Sequence, residues 1–322
     1  MKSILCAGEA LYDFISTSVG AGLVGSTLFE RRAGGSPLNT AVGIARLGLP
    51  TALLVKVGTD EFGVALHNLM LAEHLDPRYI VLGKGNNTTL AMAATNKTGE
   101  AEFRFYRDNA ADVSLTIQEV PEISPEEISL FHFGSISLVD EPAASTYVKV
   151  FRFLKKAGVL TSLDPNIRPL YVDGKEDYIK LIRSLLNRVD ILKMSHDDLK
   201  WFTGKDTVEE GVSELPYNRA GVLIITEGAD GAQAIWRKEI IRVHGFPVTV
   251  AETTGCGDSF MAGFIVKFME TTNGDLKQIT PEILRNSIRY ANACAAIVAT
   301  RFGAVTSMPK PQEVSDFMKK RA

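Results

Sequence analysis

Glu252-Thr-Thr-Gly-Cys-Gly-Asp-Ser-Phe260 reads as a glycine turn that opens a helix. Gly255, Cys256 and Gly257 are small and bring backbone N–H groups close together. Asp258 follows at once, and Phe260, Phe264, Ile265 and Phe268 recur at helical spacing. A helix start of this kind holds phosphate through its unpaired N–H groups and its dipole. A carboxylate beside an anion cradle is unfavourable unless it has a task, and a general base facing a phosphoryl group is such a task. On these residues alone, an N-capping Asp after a glycine loop is an equal reading.

Upstream of this turn the chain alternates strand with helix. Val159–Leu163, Val189–Met194 and Val222–Thr226 are near-continuous apolar runs, as parallel strands covered by helices on both faces are. Ile4–Ala7, Thr51–Val57 and Ser129–Phe133 are further strands. Helices are expected over Glu61–Leu75, from about Pro142, and over 257–270 and 281–301. The class is α/β with a doubly wound, mostly parallel sheet. Residues 11–33 and 87–107 break the rhythm. Thr88–Thr95 and Glu102–Tyr106 look like a hairpin around Asn96-Lys-Thr-Gly99. Both stretches are read as a small β lid, and residues 1–10, 34–86 and 108–322 as the main domain.

At 322 residues and 35.1 kDa, with 45% hydrophobic and 23% charged residues, the chain can bury a large core. A net charge of −3 favours neither nucleic acid nor an anionic membrane as partner. Cys6, Cys256 and Cys294 lie far apart, which suits a reducing compartment, and no H-E-x-x-H zinc motif occurs. No run reads as a membrane span, and the N-terminal apolar run is too short for a signal peptide, so a cytoplasmic protein is expected. Gly20, Gly22 and Gly25 complete a G-x-G-x-x-G, but no helical stripe follows, and Ser26 stands where a P-loop needs Lys. This is read as a plain loop.

Gly34-Gly-Ser-Pro-Leu-Asn39 is a second glycine site that runs into a helix. Helix capping explains Ser36 and Asn39 equally well. Asp13, Asp164-Pro-Asn-Ile-Arg168 and Thr226-Glu-Gly-Ala-Asp-Gly231 each follow a strand, at the edge where doubly wound folds gather ligands. Plain turns are the alternative for each.

Taken together, the two glycine sites resemble the paired signatures of the ribokinase-like (PfkB) sugar kinases across essentially the whole chain. The first comprises Gly34, Gly35, Asn39, Gly48 and Gly58; the second runs from Thr253 to Asp258 and on through Ala262-Gly263. The resemblance implies a three-layer α/β sandwich with a β lid, use of ATP and Mg²⁺, and phosphorylation of a primary sugar hydroxyl. It makes Asp258 the base, with Gly255, Cys256 and Gly257 as the anion hole. Asp13, Gly34, Gly35 and Asn39 then hold the sugar. Thr226, Gly228 and Gly231 contact the nucleotide, and Asn292 lies near the adenine. Lys193 is read as facing the nucleotide phosphates, with a surface lysine as the alternative. Two positions depart from the pattern. Glu252 replaces an Asp that helps to bind a monovalent cation, so a K⁺ site is open to question. Ser195-His-Asp-Asp198 replaces an Asn-x-x-Glu tied to Mg²⁺, which gives Asp198 an indirect, water-mediated role.

Glu9-Ala-Leu-Tyr-Asp13, the segment 105–112 and Asp164–Arg168 are most similar to those of bacterial fructokinases. A 2-keto-3-deoxygluconate kinase is the alternative; its carboxylate substrate needs a pocket cation, for which Arg104, Arg107 and Arg168 are the candidates. A non-catalytic sugar sensor on the same fold is the reading from a different class. A homodimer through the lid is expected.

Overall fold

Strand faces alternate, so a strand sandwiched between helices must carry apolar side chains on both sides. The computed structural model, which describes residues 2–98 and 101–321, follows that rule. In chain order the first strands are β1 (Ser3–Ala7), β2 (Leu11–Ser16), β3 (Phe29–Gly34), β4 (Thr51–Gly58) and β5 (Ile80–Gly83). Next come β6 (Leu90–Thr95), β7 (Ala101–Tyr106), β8 (Ile128–Gly134), β9 (Leu160–Asp164) and β10 (Ile191–Ser195). The last are β11 (Val222–Thr226), β12 (Ala232–Trp236) and β13 (Glu239–Val243).

Nine strands form one sheet in the order β13-β12-β11-β10-β9-β8-β1-β4-β5. It is parallel from β5 to β11; the β11–β12 and β12–β13 pairs are antiparallel, so β12 alone runs against the other strands. Alternation along β1 divides the core. Ile4 and Cys6 join the cluster that packs on helices Ser36–Arg46, Cys256–Thr272 and Pro281–Ala299. Leu5 and Ala7 join the opposite cluster, under Ala143–Lys156 and Glu176–Leu186. The result is a three-layer α/β sandwich. No helix among the described residues is long and apolar enough to cross a membrane.

A second, four-stranded sheet has the order β3-β2-β6-β7. Its β6–β7 pair is antiparallel with Thr95 opposite Ala101, and the expected hairpin tip at Gly99 lies outside the described residues. Gly20, Gly22 and Gly25 fall in the link between β2 and β3, where Leu23 N donates to Glu102. That glycine motif therefore belongs to a link of the small sheet and not to a βα turn of the large one.

Helix boundaries moved for local reasons. The helix expected over Glu61–Leu75 stops at Ala72, because His74 takes a left-handed φ of 59°. The one expected over 281–301 ends at Ala299, and the chain turns through Gly303 (φ 85°) to bring that residue back to Glu252. The helix expected over 257–270 begins one residue early, at Cys256, because Gly255 adopts a left-handed φ of 82° immediately before it.

Candidate active site

The carboxyl ends of β1, β9, β10 and β11 point to one edge of the large sheet, and the small sheet joins at the same edge through β2 and β3. Both glycine turns meet there. Asp258 is buried in the first turn of Cys256–Thr272. Its Oδ1 accepts from Ser36 Oγ at 2.6 Å and its Oδ2 from Asn39 Nδ2 at 2.7 Å. Ser36 and Asn39 thus act across the site, because no side-chain cap bond forms at their own helix. Asn166 Nδ2 comes within 3.5 Å of Asp258 Oδ1. Asn39 Oδ1 is buried without a hydrogen-bond partner among the described residues, so an acceptor is open at this point.

The glycines are dictated by close approach. A Cβ on Gly34 would stand 2.1 Å from Asp13 Oδ2, and one on Gly35 would stand 2.5 Å from the Glu9 carbonyl. At Gly255 a Cβ would reach Ala304 at 2.9 Å, on a backbone already left-handed. Gly257 sits beside Lys193, whose Nζ would be 3.2 Å from such a Cβ. The anion turn therefore has an ammonium next to it. Glu9 braces the first turn: it accepts from Ser36 N at 3.3 Å and from Ser137 Oγ.

Lys193 lies within the apolar strand β10, and alternation turns it to the same side as Ile191, toward Cys256–Thr272. It is 3% exposed and pairs with Asp164 Oδ2 at 2.8 Å, so the surface position a lone lysine suggests does not apply. Burial works against its charge, yet Asp164, Asp198 and Asp258 together raise its pKa. Burial pushes Asp164 up to about 6, with Asp198 and Asp258 adding and Lys193 opposing. Asp13 is likewise pushed up to about 6, first by burial and then by Asp258, Glu252 and Glu9, while Arg168 pulls it down. Negative charge is concentrated here.

The arginines separate clearly. Arg107 is buried and consumed: it pairs with Asp112 at 2.5 Å and Asp140 at 3.1 Å, and donates to Tyr171 Oη at 2.7 Å. Arg168 is exposed, donates to Asn166 Oδ1 at 2.6 Å, and acts electrostatically on Asp13. Arg104 is exposed on β7. Asp198 caps the helix His196–Thr203 at Ser195 N and also accepts from Ile167 N at 2.8 Å, so both its oxygens already hold backbone. Glu252 Oε2 accepts from Arg32 Nη1 at 2.5 Å and Gly303 N at 2.9 Å.

On the opposite flank, Thr226 ends β11, and Gly228 and Gly231 shape the exposed turn that follows. Gly231 packs so tightly on Val243 that a Cβ would stand 2.3 Å from its carbonyl. Asn292 Nδ2 donates to the carbonyls of Val243 and His244, each at 3.1 Å, and so fixes the neighbouring segment. The site residues missed in the sequence are Arg32 and Ser137. Asp164 and Lys193 were each singled out, but their pairing was not.

A family profile described as "pfkB family carbohydrate kinase" matches residues 1–311. A relative named "Probable fructokinase-6, chloroplastic" from Arabidopsis thaliana is 35% identical over 320 residues, which cover 98% of this chain and 82% of that protein. The crystal structure of a fructokinase from Xylella fastidiosa with bound ATP superposes with a TM-score of 0.85 at 27% identity, covering 99% of this chain and 98% of the other. A double-mutant fructokinase from Vibrio cholerae O395, in fructose, ADP and potassium ion bound form, gives 0.87 at 25% identity, with 98% of each chain covered.

Proposed function

From the premise that this chain belongs to the pfkB family of carbohydrate kinases, we propose that it transfers the γ-phosphate of ATP to a primary hydroxyl of fructose, with Asp258 as base. One observation carries this reading. The buried Asp258 carboxylate sits at the start of a helix whose N–H groups face the glycine turn, and it is held by Ser36 and Asn39 of the other turn. An anion cradle and a proton acceptor therefore share one point with the sugar loop.

Asp13, Asn39 and the backbone of Gly34 and Gly35 bind the sugar. The hydroxyl gives its proton to Asp258 as its oxygen bonds to the γ-phosphorus; the bond from that phosphorus to the bridging oxygen breaks, and ADP leaves. N–H groups of residues 255–257 and the Lys193 ammonium stabilise the phosphoryl charge. The surplus of carboxylates over cations around this point fits a divalent ion travelling with the triphosphate. Asp164 and Asp198 are the residues that would hold Mg²⁺, through water, because their oxygens already accept from Lys193 and from backbone. Bound there, Mg²⁺ supplies neutralisation of phosphate charge. Thr226, Gly228 and Gly231 form the nucleotide shelf, beside the segment that Asn292 pins.

Fructose is favoured over 2-keto-3-deoxygluconate because Arg107 is neutralised by Asp112 and Asp140 and is not free to clamp a carboxylate. The small sheet is proposed as the lid over the sugar, with a homodimer formed through it. The test is ADP release from ATP and Mg²⁺ with fructose, 2-keto-3-deoxygluconate or ribose. Turnover on fructose is expected; preference for the keto-acid would reassign Arg168 as a carboxylate clamp, and silence on all three would leave another sugar or a non-catalytic sensor.

A further inference from the structure

The family resemblance puts a monovalent cation beside position 252, and the groups around Glu252 do not fit one. A hard cation is held by oxygen ligands. What converges on Glu252 is instead a set of hydrogen-bond donors: Arg32 Nη1 at 2.5 Å, Gly303 N at 2.9 Å and the Thr254 hydroxyl. Burial acts to raise the Glu252 pKa, but these donors and the Arg32 charge outweigh it and hold the carboxylate below its ordinary range. The guanidinium is itself enclosed, since Arg32 and Glu252 side chains are only 16% and 18% exposed. A second cation would meet a positive charge already seated on its anion.

We infer that Arg32 is a built-in cation, a positioning residue that does in this chain the work a bound potassium ion does elsewhere, so that catalysis needs no monovalent cation. The inference rests on the kinase reading above. Connectivity shows what the charge positions. Arg32 lies on β3 two residues before Gly34, which packs on Asp13. Its partner Glu252 lies three residues before Gly255. Gly303, which donates to the same carboxylate, precedes Ala304, and Ala304 is the residue against which Gly255 packs. One ion pair therefore ties the small sheet, the anion turn and the 302–305 segment together. Arginine suits this post because its planar fork serves two acceptors at once, here Glu252 through Nη1 and Glu30 through Nη2 at 2.7 Å. Arg32 ties the turn to the sheet that carries the proposed sugar residues.

The experiment compares wild type, Arg32→Ala and Arg32→Lys in about 100 mM tetramethylammonium chloride or KCl. ADP is measured by chromatography, which avoids coupling enzymes that need potassium. Wild-type turnover should be the same in both salts. Arg32→Ala should lose roughly tenfold or more in tetramethylammonium, and regain much of it in KCl or guanidinium chloride, as expected when one partner of an enclosed pair is removed. Arg32→Lys should retain more activity than Arg32→Ala without potassium. A second readout needs no turnover: potassium should raise the melting temperature of Arg32→Ala and leave that of wild type unchanged. Activation of wild type by potassium of about tenfold or more, or a wild-type melting shift specific to potassium, overturns the inference even if no variant folds. Absence of sugar phosphorylation by wild type in both salts would instead overturn the kinase reading, leaving the melting comparison to judge the ion pair.

Discussion

Asp258 is fully engaged before any substrate arrives, with one oxygen taken by Ser36 and the other by Asn39. Both donors are neutral groups that orient the carboxylate. Asp258→Asn keeps the size and the fold but cannot take a proton. Turnover should fall on the order of 10²-fold to 10⁴-fold with an unchanged melting temperature, and near-normal turnover would remove Asp258 from the role of base. Asp13 gives the pH dependence. Its folded pKa is about 6 against an ordinary 3.8, so the folded state binds this proton more tightly than the unfolded chain does. Between those values its contribution to stability falls as pH rises, and the penalty is complete above about pH 6. In its proposed sugar-binding role Asp13 accepts hydroxyls in the ionised form, so kcat/KM for the sugar should decline below about pH 6. Asp13→Asn should melt higher than wild type at pH 8, with the gain shrinking toward pH 4, while its sugar KM rises. An Asp13→Asn protein that melts lower at every pH would contradict the burial argument.

Lys193 shows how an element sets its chemistry. β10 offers both faces to apolar clusters, yet its central residue is a lysine, and the strand's direction delivers that side chain to the start of Cys256–Thr272. Strand and helix were legible from apolar runs and spacing, because buried parallel strands and amphipathic helices leave periodic traces. The pairing of Lys193 with Asp164 was not, since it joins the middle of one strand to the end of another. Lys193→Met should weaken nucleotide binding and leave the Asp164 carboxylate buried without its cation, costing about 3–5 kcal/mol. Asp164→Leu added to Lys193→Met should restore most of the stability without restoring the nucleotide KM. Urea denaturation and ATP titration read the two effects separately. Recovery of nucleotide binding in the double variant would make the pair purely structural.

At the scale of the molecule, two glycine turns 222 residues apart close one site through Ser36 and Asp258. Each turn could be read locally from small residues followed by a helical stripe. Their meeting, and that of Arg32 with Glu252 across 220 residues, depends on how β2 and β3 leave the large sheet, and neither strand's composition encodes that. The small sheet also carries the argument for assembly. Its edge strands are β3 and β7, with no further strand paired to them among the described residues. Of the thirteen large apolar side chains exposed among the described residues, five lie on this sheet or its links: Val19, Val24, Leu28, Phe103 and Tyr106. A four-stranded sheet with an apolar rim gains by covering it, and a second copy offers the same surface. Light scattering should therefore give about twice 35.1 kDa. Val24→Glu combined with Leu28→Glu should shift the protein to monomer and raise the sugar KM, because the sheet that carries Asp13 and Gly34 loses its support. Those side chains are exposed in the single chain, so the fold itself should survive, and unchanged circular dichroism would show it. A wild-type species of 35.1 kDa at working concentrations would show that this rim is left open in solution.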